Sequence, residues 1–255
     1  MGIKRSVQQQ FGPVADQYAR FGYHAAGPDL APMLEAGQMS GQERVLDIGS
    51  GPGHTALLFA TEAREVVASD PTEAMLDQGR RLAIERGLDN IRFERTPAEK
   101  MPFADHSFDR VTSRQSAHHY ADVRAALREV ARVLSSSGRF VLIDTFSPED
   151  DEFDRFLNQI ELIRDSSHIR DYRVSEWREM FEEIGFELED VAAWDIPLEF
   201  DDWVMRSRTP DDDVAALRSC LDPASASARV RERFAVDDRG NWSVPIGLVV
   251  GTPSR

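Results

Sequence analysis

The chain has 255 residues, with 45 Asp and Glu against 30 Lys and Arg, a formal net charge of -15, and Cys220 as its one cysteine. A chain of this length buries one sizeable core, while the acid excess argues against a nucleic-acid partner and a lone cysteine rules out an intrachain disulfide or a cysteine-based metal cage. Residues 1–10 carry no apolar signal-peptide core and no uncharged apolar run reaches membrane-spanning length, so no membrane insertion and a cytoplasmic setting are expected.

In chain order, residues 5–38 show helical periodicity, with Phe11, Val14, Tyr18 and Phe21 spaced for one apolar stripe. A first strand follows at 44–48, where Val45, Leu46 and Ile48 supply the apolar residues of a buried parallel strand. It runs into Gly49-Ser50-Gly51-Pro52-Gly53 and a helix from His54. Alternate glycines let this backbone turn tightly beside a ligand, and the helix N–H groups point back at the loop. The next strand, 65–69, ends at Asp70, an acid placed to hydrogen-bond both hydroxyls of an unphosphorylated ribose. Pro71 then predicts a helix with proline in its first turn.

Strand-like runs at 91–94, 108–113 and 139–144 continue the alternation of strand and helix. That pattern predicts an α/β fold with helices on both faces of a largely parallel sheet. Helical segments from about 149 to 185 and from 199 to 235 fall outside the repeating unit and are placed to roof the strand ends, where open α/β sheets bind ligands. Loop and acid together point to a nucleoside-type cofactor. A dinucleotide loop would carry its third glycine three positions after Gly51, and that position is His54, which weakens a nicotinamide-dependent oxidoreductase reading.

With Thr96 to Phe103, Ser107 to Thr112, and Glu129 to Leu134 followed by Gly138 to Asp144, these motifs resemble the class I S-adenosylmethionine (SAM)-dependent methyltransferases from about residue 11 onward. The likeness is to the small-molecule branch related to ubiquinone and menaquinone C-methyltransferases. Ser113 to Tyr120 and Arg164 to Arg170 are similar to a bacterial subgroup of that branch. The resemblance implies a Rossmann-like seven-stranded sheet whose edge is closed by strands near 186–196 and 243–250, the last antiparallel. It implies one domain over 1–255: a helical lid at 1–40, a cofactor-binding core at 41–145, roof additions at 146–185 and 199–235, and closing strands at 186–198 and 236–255.

The expected activity is SAM-dependent methyl transfer to a small, aromatic or quinone-like acceptor, and a SAM-binding sensor or partner subunit without transfer is the alternative. Asp47 and the backbone of Gly49, Ser50, Gly51 and Gly53 are expected around the methionine end of the cofactor, with Tyr18, Asp70, Pro71 and Arg114 also in contact. Ala98 and Glu99 are expected at adenine, although Pro97 stands where many relatives have Asp and offers neither carboxylate nor N–H. No metal is required. His118 and His119, just after the fourth strand, are the candidate bases. Adjacent side chains diverge, so one should face the pocket and the other hydrogen-bond structurally. Gln115, His24 in the lid and His168 in the roof are expected near the acceptor. Nothing in the sequence fixes the oligomeric state.

Overall fold

The computed structural model describes residues 6–20, 25–222 and 224–254. Its sheet has seven strands in the order β3-β2-β1-β4-β5-β7-β6: β1 Arg44–Ile48, β2 Glu65–Asp70, β3 Ile91–Arg95, β4 Phe108–Arg114, β5 Leu134–Thr145, β6 Phe186–Leu198 and β7 Trp242–Pro253. The first five pair in parallel, and β7 lies antiparallel to both β5 and β6. The expected Rossmann-like architecture is therefore present.

Side chains alternate across the sheet because a strand has a period of two. Val45, Val66, Ala68, Val141 and Ile143 join one buried cluster, and Leu46, Ile48, Val67, Phe140 and Leu142 join the other. Both faces are covered. Helices α3 Leu30–Gly37, α4 His54–Phe59 and α7 Asp151–Arg164 pack on the first face, with Trp203 of α9 Phe200–Arg206. Helices α6 Val123–Val133 and α8 Val174–Glu183 cover the second through Leu127, Val130, Trp177 and Phe181. Trp177 thus belongs to the core. Helix α5 Glu73–Glu85 crosses from β2 to β3, and α10 Asp211–Leu221 and α11 Ala228–Arg233 complete the segment between β6 and β7.

Several elements depart from the sequence pattern for identifiable reasons. The N-terminal segment is broken into α1 Val7–Phe11, a 3₁₀ turn at Gly12–Val14 and α2 Ala15–Arg20. Gly12 and Pro13 interrupt it, since proline has no N–H to continue an α-helix. Phe21 and His24 lie outside the described residues. Pro71 is not in a first helical turn: α5 begins at Glu73, with Thr72 at its N-cap. The Thr72 N–H is instead captured by Asp70 Oδ1 at 2.7 Å, an Asx-type turn that bends the chain before the helix starts. β5 begins at Leu134, earlier than the apolar run, because Leu134 pairs with Phe108 across an irregularity in the ladder. In β6 a bulge between Asp190 and Ala192 inverts the alternation. Phe186 and Leu188 face the second cluster, while Trp194, Ile196 and Leu198 face the first.

The entrance to β1 is set by Glu43. Its carboxylate accepts hydrogen bonds from the Ser40 N–H at 2.9 Å, the Ser40 hydroxyl at 2.6 Å, and the N–H groups of Gly41 and Gln42 at 3.0 and 3.1 Å. Burial alone would raise its pKa, but these donors and Arg110 hold it down to about 2. A depressed carboxylate stabilises the fold fully above its unfolded pKa of about 4.5 and loses that contribution as pH falls toward 2. Glu43→Ala should cost about 1.5 to 3 kcal/mol at pH 7, and the gap to wild type in urea midpoint should narrow between pH 5 and pH 3.

Candidate functional site

The β1 loop forms the floor of a cavity of about 400 Å³ at the strand C-termini. Gly49, Gly51 and Gly53 adopt positive φ values of 62°, 53° and 82°. At Gly49 a side chain is also excluded by space, because a Cβ would come within 2.6 Å of Ser116. A Cβ on Gly51 meets no protein atom within 4 Å, and Gly51 lines the cavity, so the backbone there is open to a ligand. Gly53 is behind the wall as the left-handed N-cap of α4. Asp47 is likewise beneath the loop, 1% exposed, with Oδ1 accepting from the Thr112 hydroxyl at 2.7 Å. Burial raises its pKa to about 7 against that bond.

Asp70 sits on the wall with Oδ2 accepting the Gly51 N–H at 2.9 Å and Oδ1 the Thr72 N–H. It therefore ties the glycine loop to the end of β2 and keeps acceptor capacity at each oxygen. Burial raises its pKa while these two N–H groups oppose the rise. Ser50, Pro71, Pro97, Ala98 and Glu99 line the same cavity, and Glu99 Oε1 also accepts the Ala121 N–H at 2.8 Å. Tyr18 and Phe11 close it from above, with Ser6, Val7 and Gln8. Arg114 reaches the wall, but its guanidinium is forked onto Asp29 at 2.6 and 2.8 Å in a buried pair that pins the start of α3 to the end of β4.

A second cavity of about 100 Å³ adjoins the first, and the two share Phe11, Tyr18, Gln115 and His119 in their walls. Gln115 holds φ 52°, a left-handed conformation that a non-glycine residue adopts at a cost where the surrounding fold dictates it. His118 and His168 line only the second cavity. The ring centroids of His118 and His119 are 4.2 Å apart, and those of His118 and His168 are 5.6 Å apart. Instead of diverging, the two adjacent rings pack against each other and both line the second cavity, while their ring nitrogens take different partners. His118 Nδ1 pairs with Asp144 Oδ1 at 2.5 Å, and His119 Nδ1 lies 3.3 Å from the Ser167 hydroxyl. His24 lies outside the described residues, so the expected meeting with His168 is not described.

Electrostatics separate the three rings. Burial lowers the affinity of His118 for a proton, but the Asp144 carboxylate outweighs it and holds the pKa up to about 9. Burial and the charge on His118 push His119 down to about 4, and His168 is lowered for the same reasons. At neutral pH the cluster holds one imidazolium, on His118, beside neutral His119.

The sequence did not single out Asp144, Asp171, Ser167 or Ile169. Asp144 carried a usable signal, an acid at the end of a parallel strand, as at Asp70. Asp171 follows the Arg164 to Arg170 motif, whose arginines form local pairs: Arg164 with Glu161, and Arg170 with Glu176 and Asp154. His54 is buried at the start of α4, its Nε2 3.3 Å from the Tyr18 carbonyl, and His106 is exposed in a turn.

A family model described as a methyltransferase domain matches residues 46–142. The uncharacterized methyltransferase YcgJ of Bacillus subtilis is 41% identical over 219 residues, covering 86% of this chain and 87% of that protein. Its crystal structure superposes with a TM-score of 0.85 at 38% identity, over 89% of this chain and 98% of that one. YafE of Escherichia coli, an uncharacterized protein, is 41% identical over 201 residues, 79% of this chain and 96% of that protein. The ubiquinone/menaquinone biosynthesis C-methyltransferase UbiE of Rickettsia felis is 31% identical over 167 residues, 59% of this chain and 64% of that protein. The chain belongs to the SAM-dependent methyltransferases. Its cofactor is S-adenosylmethionine, and the nicotinamide reading falls away. The cavity fits that molecule: Gly51 leaves its backbone open, and Ser50 Oγ and Gln115 Nε2 are buried polar wall atoms with no hydrogen-bond partner of their own. Among the described residues no helix is long and apolar enough to cross a membrane.

The histidine assignment is measurable by ¹H–¹⁵N spectra of the imidazoles over pH. The His118 ring should stay protonated to about pH 9 and the His119 ring neutral down to about pH 4. Because the folded pKa of His118 is raised, its contribution to stability is complete below about 6.5 and is lost as pH rises through 9. In Asp144→Asn the His118 value should drop, since only the charges of Asp171 and Glu161 then oppose burial, and the His119 value should rise.

Proposed function

We propose that the chain transfers a methyl group from SAM to a small-molecule acceptor of aromatic or quinone-like type held in the second cavity. The observation that carries this reading is the shared wall: the cavity floored by the glycine loop and a second, smaller one have Phe11, Tyr18, Gln115 and His119 in common. Similarity to a quinone C-methyltransferase supports a ring-shaped acceptor, as does the apolar side formed by Ile196, Leu198, Val244 and Ile246.

When bound, SAM supplies a methyl group already activated on a sulfonium centre for in-line displacement, so the chain's work is orientation and exclusion of water. Asp70 takes hydrogen bonds from the ribose hydroxyls with the acceptor capacity that the Gly51 and Thr72 N–H groups leave. The backbone at Gly49, Ser50 and Gly51 lies along the methionine end, with Asp47 and Gly53 holding the loop from behind. Ala98, Glu99 and Pro71 flank adenine. Residues of α1 and α2, Tyr18 among them, act as the lid, and Arg114 holds the start of α3 through Asp29. Neutral His119 accepts the acceptor's proton, and the His118–Asp144 pair fixes the ring beside it.

Calorimetric titration with SAM, S-adenosylhomocysteine and NAD tests the cofactor site. The two adenosyl ligands should bind and NAD should not. Asp70→Ala should weaken both by roughly ten-fold to a hundred-fold, the loss of charge-assisted hydrogen bonds. Binding of NAD alone, or unchanged affinity in a folded Asp70→Ala protein, would overturn the site. With any acceptor that turns over, His119→Ala should lower kcat about a hundred-fold or more. The wild-type rate should be flat between about pH 5 and 8, falling below as His119 gains a proton and above as His118 loses one.

A further inference from the structure

Asp171 lies in the segment between α7 and α8, 1% exposed and on the wall of the second cavity. Its Oδ2 accepts no hydrogen bond. His168 Nε2 is 3.9 Å away, and ligand atoms of His118 and Asp144 are within 4.8 Å. The residue is firmly held, since its N–H donates to Asn158 Oδ1 at 2.8 Å. The other acids of this wall are occupied: Glu161 pairs with Arg164 at 3.2 Å, and Asp165 Oδ1 accepts the Ser167 N–H and hydroxyl at 2.8 and 2.7 Å. A buried carboxyl oxygen without a partner is destabilising, and such an atom is retained where a ligand completes it.

What completes it is constrained by its surroundings. A metal ion is poorly served, because the Asp144 carboxylate already accepts four hydrogen bonds, from the N–H groups of Ala117, His118 and Thr145 and from the His118 ring. Of the three grouped residues, His118 and Asp171 alone would be left to ligate. An ammonium group would meet the positive charge on His118, with Arg164 on the same wall. A carboxylate would meet the Asp171 oxygen that no donor compensates, since Arg164 is paired with Glu161 and Arg206 with Asp202. A neutral hydroxyl both donates and accepts, so it satisfies Asp171 whether or not that carboxyl holds a proton.

We propose that Asp171 anchors the methyl acceptor by a hydrogen bond with a neutral hydroxyl group, so that the enzyme selects small alcohols or phenols over carboxylates and amines. The ring or alkyl body lies against Ile196, Leu198, Val244 and Ile246, and the cavity volume of about 100 Å³ limits it to a small group. This rests on the second cavity being the acceptor's.

Three probes of one shape test it: benzyl alcohol, benzoate and benzylamine, titrated into protein saturated with S-adenosylhomocysteine and followed by ligand-observed NMR. Benzyl alcohol should bind at least about ten-fold more tightly than either charged probe. Asp171→Leu should lose about ten-fold for the alcohol, while Asp171→Asn, which keeps a donor and an acceptor, should stay within about three-fold. Both variants should keep wild-type affinity for S-adenosylhomocysteine. The Tm of Asp171→Leu should equal or exceed that of wild type, which a purely structural carboxyl would not allow. Equal or tighter binding of benzoate or benzylamine, no binding of the alcohol, or an undiminished preference in Asp171→Leu would each overturn the proposal. Failure of S-adenosylhomocysteine to bind wild type would instead strike the cofactor site, a separate outcome.

Discussion

At the end of β5 the Asp144 carboxylate gathers three backbone N–H groups and one imidazole, so a single buried charge fixes the turn after β4 and the ring of His118 together. The N–H groups of Ala117 and His118 belong to the short helical turn at Ala117–His119, and Thr145 closes β5 itself. Charge-assisted bonds of this kind are about twice as strong as neutral ones. The turn they hold carries His119 to the junction of the two cavities, and the His118 carbonyl accepts the Ile169 N–H at 2.9 Å, bringing the roof segment down onto the same point. The walls of the two cavities and the segment after α7 meet where that carboxylate is satisfied.

The same economy runs through the polar interior. The surface is strongly acidic, yet most buried charges near the site have a definite counterpart: Arg114 on Asp29, Arg164 on Glu161, His118 on Asp144. Such pairs return little net stability after desolvation, and their value lies in fixing one geometry. The first, Arg114 on Asp29, joins the start of α3 to β4, and Arg164 also ties α7 to α9 through its bond to the Trp203 carbonyl at 3.0 Å.

Features legible in the sequence are those written locally. The β1 strand, the glycine loop and Asp70 follow from residue type at fixed spacing, and each sits where the spacing put it. The sheet order required the family resemblance, since periodicity shows strands and not neighbours. Long-range pairs were invisible: 26 positions separate His118 from Asp144 and 85 separate Arg114 from Asp29. Asp171 was hidden for another reason, because neighbouring opposite charges read as mutual neutralisation and only three dimensions reveal that one oxygen of one member accepts no hydrogen bond. Pro71 misled because the Asp70 side chain captured the turn ahead of the helix.

The bulge in β6 reaches beyond the shape of the edge strand. Phe186 and Leu188, and then Ile196 and Leu198, all share one parity, so an unbroken strand would place all four on one side of the sheet. The extra residue between Asp190 and Ala192 rotates the second pair to the other side, where Ile196 and Leu198 become the apolar wall opposite Asp171. The wall of the second cavity therefore depends on strand register as much as on residue type. A slip of one position against β7 that ironed out the bulge, with its extra residue kept, would turn Asp195 and Pro197 inward and leave the glycine loop, fixed on the far side of β4, untouched.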